Sequence, residues 1–309
     1  MELLTDLVMR NIAITKRATL TGHNDCVYSV IAGIEDWQII SSAGDGMVVS
    51  WDLRDPENGV LLAQVKNSVY ALCIIPGTKF LAVGHNFEGV HIIDLETKKQ
   101  VASVKVSGAA IFDLKSDGRN LWVADGDGTV YRYHVKSLKL QTSKKFADKS
   151  ARSLSKIGNT IAIGLSDWSV RVVDAITLEE LTSLKGHKNS VFTVAYSPEG
   201  EFLYTAGRDA SIKTWSVSAD YKLLNDVPAH MYAINDLAFS PDGQFFATGS
   251  MDKSLKIWSV ADQKLLKVVD KERHAGHGTS INKVHWSSFN NQIVTCSDDR
   301  TLSVWEITL

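Results

Sequence analysis

Short runs of alternating or continuous apolar residues fill this chain, separated by turn signals such as Ser197-Pro198-Glu199-Gly200, Gly207-Arg208-Asp209-Ala210 and Ser240-Pro241-Asp242-Gly243. A period of two in runs of this length predicts β-strands. The stretch 190–227 shows the unit most plainly: SVFTVAYS, EFLYTA, SIKTWSV and YKLLNDV read as four successive strands. Such a unit has two faces to bury and buries neither alone, so neighbours must stack against it on both sides.

The unit repeats. Four segments align without gaps, each with a histidine and a later tryptophan at one fixed separation: His23–Trp51, His187–Trp215, His230–Trp258 and His277–Trp305. Each also carries an aspartate at a constant distance before that tryptophan, at Asp45, Asp209, Asp252 and Asp299. The gap from Trp51 to Trp215 leaves room for three weaker copies, at FEGVHIID, DGTVYRYH and DWSVRVVD, with Ile93, Tyr133 and Val173 at the tryptophan position. Successive copies are then nearly equal in length, the last step, Trp258 to Trp305, being the longest. A small-apolar-x-x-apolar pentapeptide marks all seven copies: CVYSV, SVYAL, AIFDL, SARSL, SVFTV, AINDL and SINKV.

The last copy ends at SVWEITL, one strand short, while the strand-like segment NIAITKRATL precedes the first copy without a unit of its own. The expected fold class is therefore all-β: a single seven-bladed β-propeller of four-stranded blades, closed by the N-terminal strand completing the last blade. The expected boundaries are a tail at 1–10 and one propeller over 11–309. Its blades lie near 22–65, 66–106, 107–147, 148–185, 186–228, 229–270, and 276–309 plus 11–20. The longest step reflects an insertion around KERHAGHGT, which brings His274 close in sequence to His277.

Composition changes this picture little. Hydrophobic residues make up 44% and charged residues 22% of 309, and 21 glycines and 8 tryptophans beside only 5 prolines suit an all-β chain with many tight turns. A net charge of −2 argues against nucleic acid as a partner. No stretch approaches the roughly 18 apolar residues that cross a membrane, and the start MELLTDLVMR lacks the basic region of a signal peptide. Cys26, Cys73 and Cys296 lie in apolar alternating segments and suit free thiols in a reducing compartment. A monomeric cytoplasmic propeller is expected.

The Gly-His opening, the Ser-Pro-Asp-Gly-type turn, the aspartate and the closing Trp-Asp or Trp-Ser together resemble the WD-repeat β-propeller family, from about Asn11 to the end of the chain. The resemblance implies a hydrogen-bonded tetrad in each intact blade. The four sets would be His23, Ser41, Asp45 and Trp51; His187, Thr205, Asp209 and Trp215; His230, Thr248, Asp252 and Trp258; and His277, Thr295, Asp299 and Trp305. In each, the indole N–H needs an acceptor, the hydroxyl accepts and donates onward, and the imidazole bridges to the carboxylate. Four copies at one repeat phase hold a fold; they are not a catalytic set. The second blade has Val65, Val83, Phe87 and Ile93 instead, expected to form an alternative apolar core. The third has Ser107, Val123, Asp127 and Tyr133, and the fourth has Ala147, Ile163 and Val173 with only Asp167 retained.

The family also implies that partners bind the face carrying the His and Asp loops. One repeat position expected there holds Tyr28, Tyr70, Phe112, Arg152, Phe192, Asn235 and Asn282, and aromatics and arginine are interface anchors. The residue before the aspartate adds Asn86, Arg208, Met251 and Asp298, beside Gly44, Gly126 and Ser166, and Trp168 is expected at a turn tip on the same face. The alternative is that the aromatics plug the channel mouth by packing on one another. An aromatic ring around a pore also suits a cationic guest, helped by Asp25 and Asp298.

Weaker signals remain. The lysine-rich stretch 136–156 suits either an acidic partner or protection of a sheet edge. Asp125-Gly126-Asp127-Gly128-Thr129 resembles the start of a calcium loop but lacks the late glutamate, and is read as a turn. Motifs for a nucleophile elbow, a zinc protease or a phosphate loop are not found. No catalytic residue, metal or cofactor is expected. The leading expectation is a non-catalytic scaffold binding a peptide or protein on the loop face around the central channel. Two alternatives stay open: a small-ligand or enzymatic propeller using the channel mouth, and an architectural subunit docked through its blade edges.

Overall fold

The computed structural model describes residues 12–308, so the expected tail at 1–10 lies outside the described residues. Within that range 28 strands form seven antiparallel four-stranded sheets. Blade 5 shows how burial follows pattern. Its inner strand Val191–Tyr196 is buried except at half-buried Phe192 and Ala195, its middle strands Phe202–Gly207 and Ser211–Ser216 are buried almost throughout, and its outer strand Lys222–Pro228 is mostly exposed. Middle strands that are apolar on both faces need cover on both. The neighbouring blades supply it.

The seven inner strands, Val27–Ala32, Val69–Ile74, Ile111–Ser116, Ala151–Ile157, Val191–Tyr196, Ile234–Phe239 and Ile281–Trp286, each pack against the next, and the last packs against the first. A strand at the centre of such a ring keeps one edge without a partner strand, and its N–H groups need acceptors. Side chains from the preceding blade provide several. Asp113 Oδ2 accepts the Leu154 N–H at 2.7 Å, Ser153 Oγ accepts that of Val194 at 3.2 Å, and Asp236 Oδ2 accepts that of Val284 at 3.0 Å. The short polar residues of the inner strands therefore bond blade to blade.

The strand Ala13–Leu20 pairs antiparallel with Leu302–Thr308, Ala13 opposite Thr308 and Leu20 opposite Leu302, with a bulge at Arg17. It is the outer strand of blade 7, and the ring is closed as the sequence predicts. Ile14 and Leu20 face the core while Thr15 and Thr19 are exposed. The insertion before His277 folds into a single helical turn, Lys271–His274, capped by the Asp270 side chain accepting the Arg273 N–H. Lys16 Nζ donates to the Ala275 carbonyl at 2.9 Å and ties this insertion to the closing strand.

The lysine-rich stretch does not make one surface. Lys139, Lys144 and Lys145 lie on the outer strand of blade 3, Lys145 pairs with Asp148 at 3.1 Å, and Arg152 lies on the inner strand of blade 4. Among the described residues no helix is long and apolar enough to cross a membrane.

If closure carries the fold, Ile14→Asp buries a carboxylate between blades and should cost about 3 kcal/mol or more. Thr15→Asp, at the next position on the exposed face, should leave the calorimetric melting temperature near that of the unaltered chain. Equal melting temperatures for the two variants would contradict a closing role for this strand.

Candidate functional site

The loop face is built on the polar relays of blades 1, 5, 6 and 7. In blade 6, Trp258 Nε1–H donates to Thr248 Oγ1 at 2.9 Å, Thr248 lies 2.8 Å from His230 Nε2, and His230 Nδ1 lies 2.8 Å from Asp252 Oδ2. The hydroxyl can serve both neighbours only by accepting from the indole and donating to Nε2, so the imidazole proton sits on Nδ1 and points at the carboxylate. Blade 5 repeats this through Trp215, Thr205, His187 and Asp209, at 2.9, 2.8 and 2.9 Å. Blade 7 does so through Trp305, Thr295, His277 and Asp299, at 2.9, 2.9 and 2.8 Å. In blade 1 Trp51, Ser41 and His23 keep the first two links at 2.8 Å, while His23 Nδ1 stands 3.3 Å from Asp45. Burial lowers the pKa of His23 and His230 against the pull of their aspartates. Burial also opposes ionisation of Asp209, Asp252 and Asp299, yet their histidine partners hold all three below the usual carboxylate range, Asp299 at about 2.

Each relay aspartate also accepts backbone N–H groups, as Asp252 does from Ser254 in its own turn and from Met231 just after the histidine. The turn then passes through a left-handed residue, which is Gly46 in blade 1 but Trp168, Ala210, Lys253 and Arg300 in blades 4 to 7. A Cβ on Gly46 would stand 2.1 Å from the Val65 carbonyl, so that blade needs glycine.

Blades 2 to 4 meet the same demand with other residues. Val83 and Ile93 do enter an apolar cluster with Val65 packed against it, but Phe87 does not: it lies at a positive φ with 59% of its surface exposed. The expected all-apolar core of blade 2 is therefore corrected. Buried His85 takes the polar role, its Nε2 accepting the Asn67 N–H at 3.1 Å, with Glu88 and His91 within 3.3 Å of its Nδ1. In blade 3 the buried carboxylate is Asp125, which stands just before the Gly126-Asp127 pair and displaces the aspartate expected. It accepts from the Asp127 and Thr129 N–H groups and from the Tyr131 hydroxyl at 3.1 Å, while Asp127 is exposed. In blade 4 Asp167 accepts from the Ser169 N–H and hydroxyl and pairs with Arg171 at 3.5 Å.

At the centre of this face the inner strands surround a cavity of about 440 Å³. Tyr28, Tyr70, Phe112, Arg152, Phe192, Asn235 and Asn282 all line it, joined by Asn86, Phe87, Ala110 and Lys283. An arc of contacts runs along one side. Tyr28 meets Tyr70 edge-on at 4.6 Å between ring centroids, Tyr70 stacks on Phe112 at 5.6 Å, and the Arg152 guanidinium lies 4.2 Å from the Phe112 ring and 5.2 Å from that of Phe192. The aromatics thus pack on one another and still line an open cavity. The cation that these rings contact in the structure is Arg152.

The amides have other work. Asn86 Oδ1 accepts the Ile111 N–H at 3.2 Å, Asn235 Nδ2 donates to the Ile281 carbonyl at 2.8 Å, and Asn282 Nδ2 donates to the Val27 carbonyl at 2.9 Å and to Asp298 at 2.7 Å. These groups brace adjacent blades. Arg208, Trp168 (48% exposed) and Met251 (51%) stand free on the surrounding loops. Sequence reasoning missed Phe87, Lys283, Met231 (82% exposed) and Tyr232 (63%). A signal for the last two was available: they follow His230 where the other intact blades have Asn24-Asp25, Lys188-Asn189 and Gly278-Thr279.

A family model described as "WD domain, G-beta repeat" matches residues 14–52, 178–216, 221–259 and 269–306, together half of the chain and the four stretches that carry relays. The chain is 22% identical over 302 residues to the 66 kDa stress protein of Physarum polycephalum, covering 95% of this chain and 41% of that protein. It is 26% identical over 193 residues to U3 small nucleolar RNA-associated protein 21 of Saccharomyces cerevisiae (60% and 21%). It is 31% identical over 157 residues to small ribosomal subunit protein RACK1 of Brassica napus (50% and 41%). The chain thus spans less than half the length of these relatives. The crystal structure of the WD40 β-propeller domain of Doa1 superimposes with a TM-score of 0.84 at 17% identity, covering 95% of this chain and 97% of that one.

Two outcomes follow from the relays. Thr248→Val leaves the Trp258 indole N–H and His230 Nε2 unpaired in the interior and should destabilise the chain by about 2–4 kcal/mol in urea unfolding. Histidines held neutral in the fold still protonate once unfolded, so the stability from His23 and His230 is whole above their ordinary pKa of 6.5 and declines as pH falls below it. The part from Asp299 is whole above its ordinary 3.8 and is lost as pH falls towards about 2. The urea midpoint measured from pH 8 to pH 3 should decline in these two stages, and a midpoint that rises on acidification would contradict the assigned protonation states.

Proposed function

Because the chain belongs to the WD-repeat β-propeller family, we propose that it is a non-catalytic scaffold that binds a peptide or protein segment over the loop face, seated in the mouth of the central channel. The observation that carries this reading is the coincidence of the aromatic-lined cavity with the large apolar side chains exposed around it, Phe87, Trp168, Met231, Tyr232 and Met251. Exposed aromatics and methionines gathered on one face are unusual for surface held only by water, and fit an interface core. The rigid relays keep the loops in place before binding, so little ordering entropy opposes association. The relatives' names support the same reading at a coarse level, since a small ribosomal subunit protein and a small nucleolar RNA-associated protein are parts of larger assemblies.

The titratable groups at the mouth favour binding over chemistry. Arg152 and Lys283 are cations, and burial raises the Tyr28 hydroxyl well above its ordinary value, which removes it as a base near neutral pH.

Two variants test the reading. Tyr70→Ala/Phe112→Ala/Phe192→Ala empties the mouth, and Phe87→Ser/Trp168→Ser/Tyr232→Ser strips the rim with little effect on packing. A partner captured by the unaltered chain should bind each variant about tenfold or more weakly by calorimetry, with circular dichroism confirming that both are folded. Unchanged affinity for both would move the interface to the blade edges.

A further inference from the structure

The mouth holds a positive charge that the described chain does not neutralise. Of the two cations that line it, Lys283 is matched: its Nζ donates to Asp236 at 3.1 Å, and Asp236 is fixed in turn by the Val284 N–H and the Thr193 hydroxyl. Arg152 has no such partner. Its Nε donates to Ser166 Oγ at 3.2 Å, and among the described residues its terminal nitrogens make no hydrogen bond and no carboxylate pairs with it. Burial weighs against its charge first, and Arg208, a second cation that is exposed and likewise without an ion pair among the described residues, adds to this. Arg54, Arg171 and Arg273 each lie against a carboxylate, while part-buried Arg132, like Arg152, pairs with none among the described residues and donates to the Asn120 amide oxygen instead.

Arg152 is half-buried, and a guanidinium partly withdrawn from water without a counter-charge is costly, since arginine does not shed its proton to avoid that cost. The Phe112 and Phe192 rings offset part of it through their π faces. Arg152 also fills the slot between those rings that a cationic guest would need, which turns the preference of the mouth toward anions. The acids Asp25 and Asp298 lie on the blade 1 and blade 7 side, Asp298 held by Asn282. They repel an anion there and direct it toward blades 4 and 5, where Arg152 and Arg208 stand.

We infer that the mouth recognises the carboxylate of an aspartate or glutamate in a partner peptide, with the half-buried Arg152 as its inner contact and Arg208 as its contact on the rim. An apolar residue of the same segment occupies the Tyr28–Tyr70 side of the cavity. The inference rests on the loop-face reading above and adds the chemistry of the segment bound there. A planar guanidinium between two rings is preorganised for a two-point contact with a carboxylate, and part of its desolvation is already complete in the unbound protein.

Peptide-display selection on the full chain, followed by calorimetry with a selected synthetic peptide, tests this against Arg152→Met, which keeps an apolar stem between the two rings. The recovered peptides should share an acidic residue beside an apolar one. Affinity should fall by about tenfold or more on Arg152→Met, and equally when the acid is changed to its amide. It should weaken with added salt, while the melting temperature of Arg152→Met stays at or above that of the unaltered chain. A clear drop in that melting temperature would assign Arg152 to holding the aromatic arc and overturn the inference. So would peptides without acids, binding indifferent to Arg152→Met, or a phosphoserine peptide preferred over its glutamate counterpart. In those cases peptides that still fail on Tyr70→Ala/Phe112→Ala/Phe192→Ala leave the loop-face reading standing. A selection that yields no peptide sensitive to either variant overturns both.

Discussion

Closure of the ring is the constraint on which every other feature rests, because a blade is apolar on both faces and only a complete circle covers them all. The sheet that joins the first described strand to the last does this in both directions. On one side Ile14, Trp305 and Ile307 pack with Phe245 and Leu255 of blade 6, and on the other Leu20, Leu302 and Val304 pack with Val27 and Ile39 of blade 1. Pairing Ala13–Leu20 with Leu302–Thr308 thus buries the end faces of two neighbours and removes one exposed sheet edge. It joins strands from opposite ends of the described chain, and its loop-closure cost is recovered only when the other six blades are in place.

Once closed, the ring must house polar groups in its interior, and it does so by relays that run from a buried indole to a carboxylate at the loop surface. The demand is physical, so its solutions vary. Four blades use Trp, Ser or Thr, His and Asp; blade 2 uses His85 with the Asn67 N–H, and blade 3 uses Asp125 with the Tyr131 hydroxyl. In each case a turn of the loop face is fixed by side-chain acceptors, leaving residues such as Trp168 and Phe87 held outward at left-handed φ. A backbone region that bulky residues rarely adopt persists here because the surrounding hydrogen bonds over-determine it.

The same division appears at the channel mouth. Asn86, Asn235, Asn282 and Asp298 spend their polar atoms on neighbouring blades or on one another, whereas the aromatic arc and Arg152 face the cavity with capacity left over. Side chains that brace the blades and side chains that line the open mouth thus fall on different residues of one circle.

The blade count, strand order and closing strand were legible in the sequence because each follows from local periodicity and spacing: a repeat of near-constant length, a missing last strand and an unassigned first one. The four relays were legible for the same reason, since one fixed separation from histidine to tryptophan places the pair in the same relation in every copy. What the sequence left open depended on neighbours far apart in the chain. Phe87 aligned with buried partners, yet the turn of blade 2 shifts its left-handed residue by one position and swings the ring outward. Asp127 aligned with the relay aspartates, yet Asp125 has the buried donors around it. The alignment of Asn86, Asn235 and Asn282 with surface positions could not reveal that backbone groups of the next blade lie within reach. Nor could spacing show that Arg152 would sit between Phe112 and Phe192 without a carboxylate, because charge balance at a point in space is set by which blades meet there. Local periodicity determined the ring, and only the packing of the ring decided which side chains it consumes and which it leaves unpaired at the mouth.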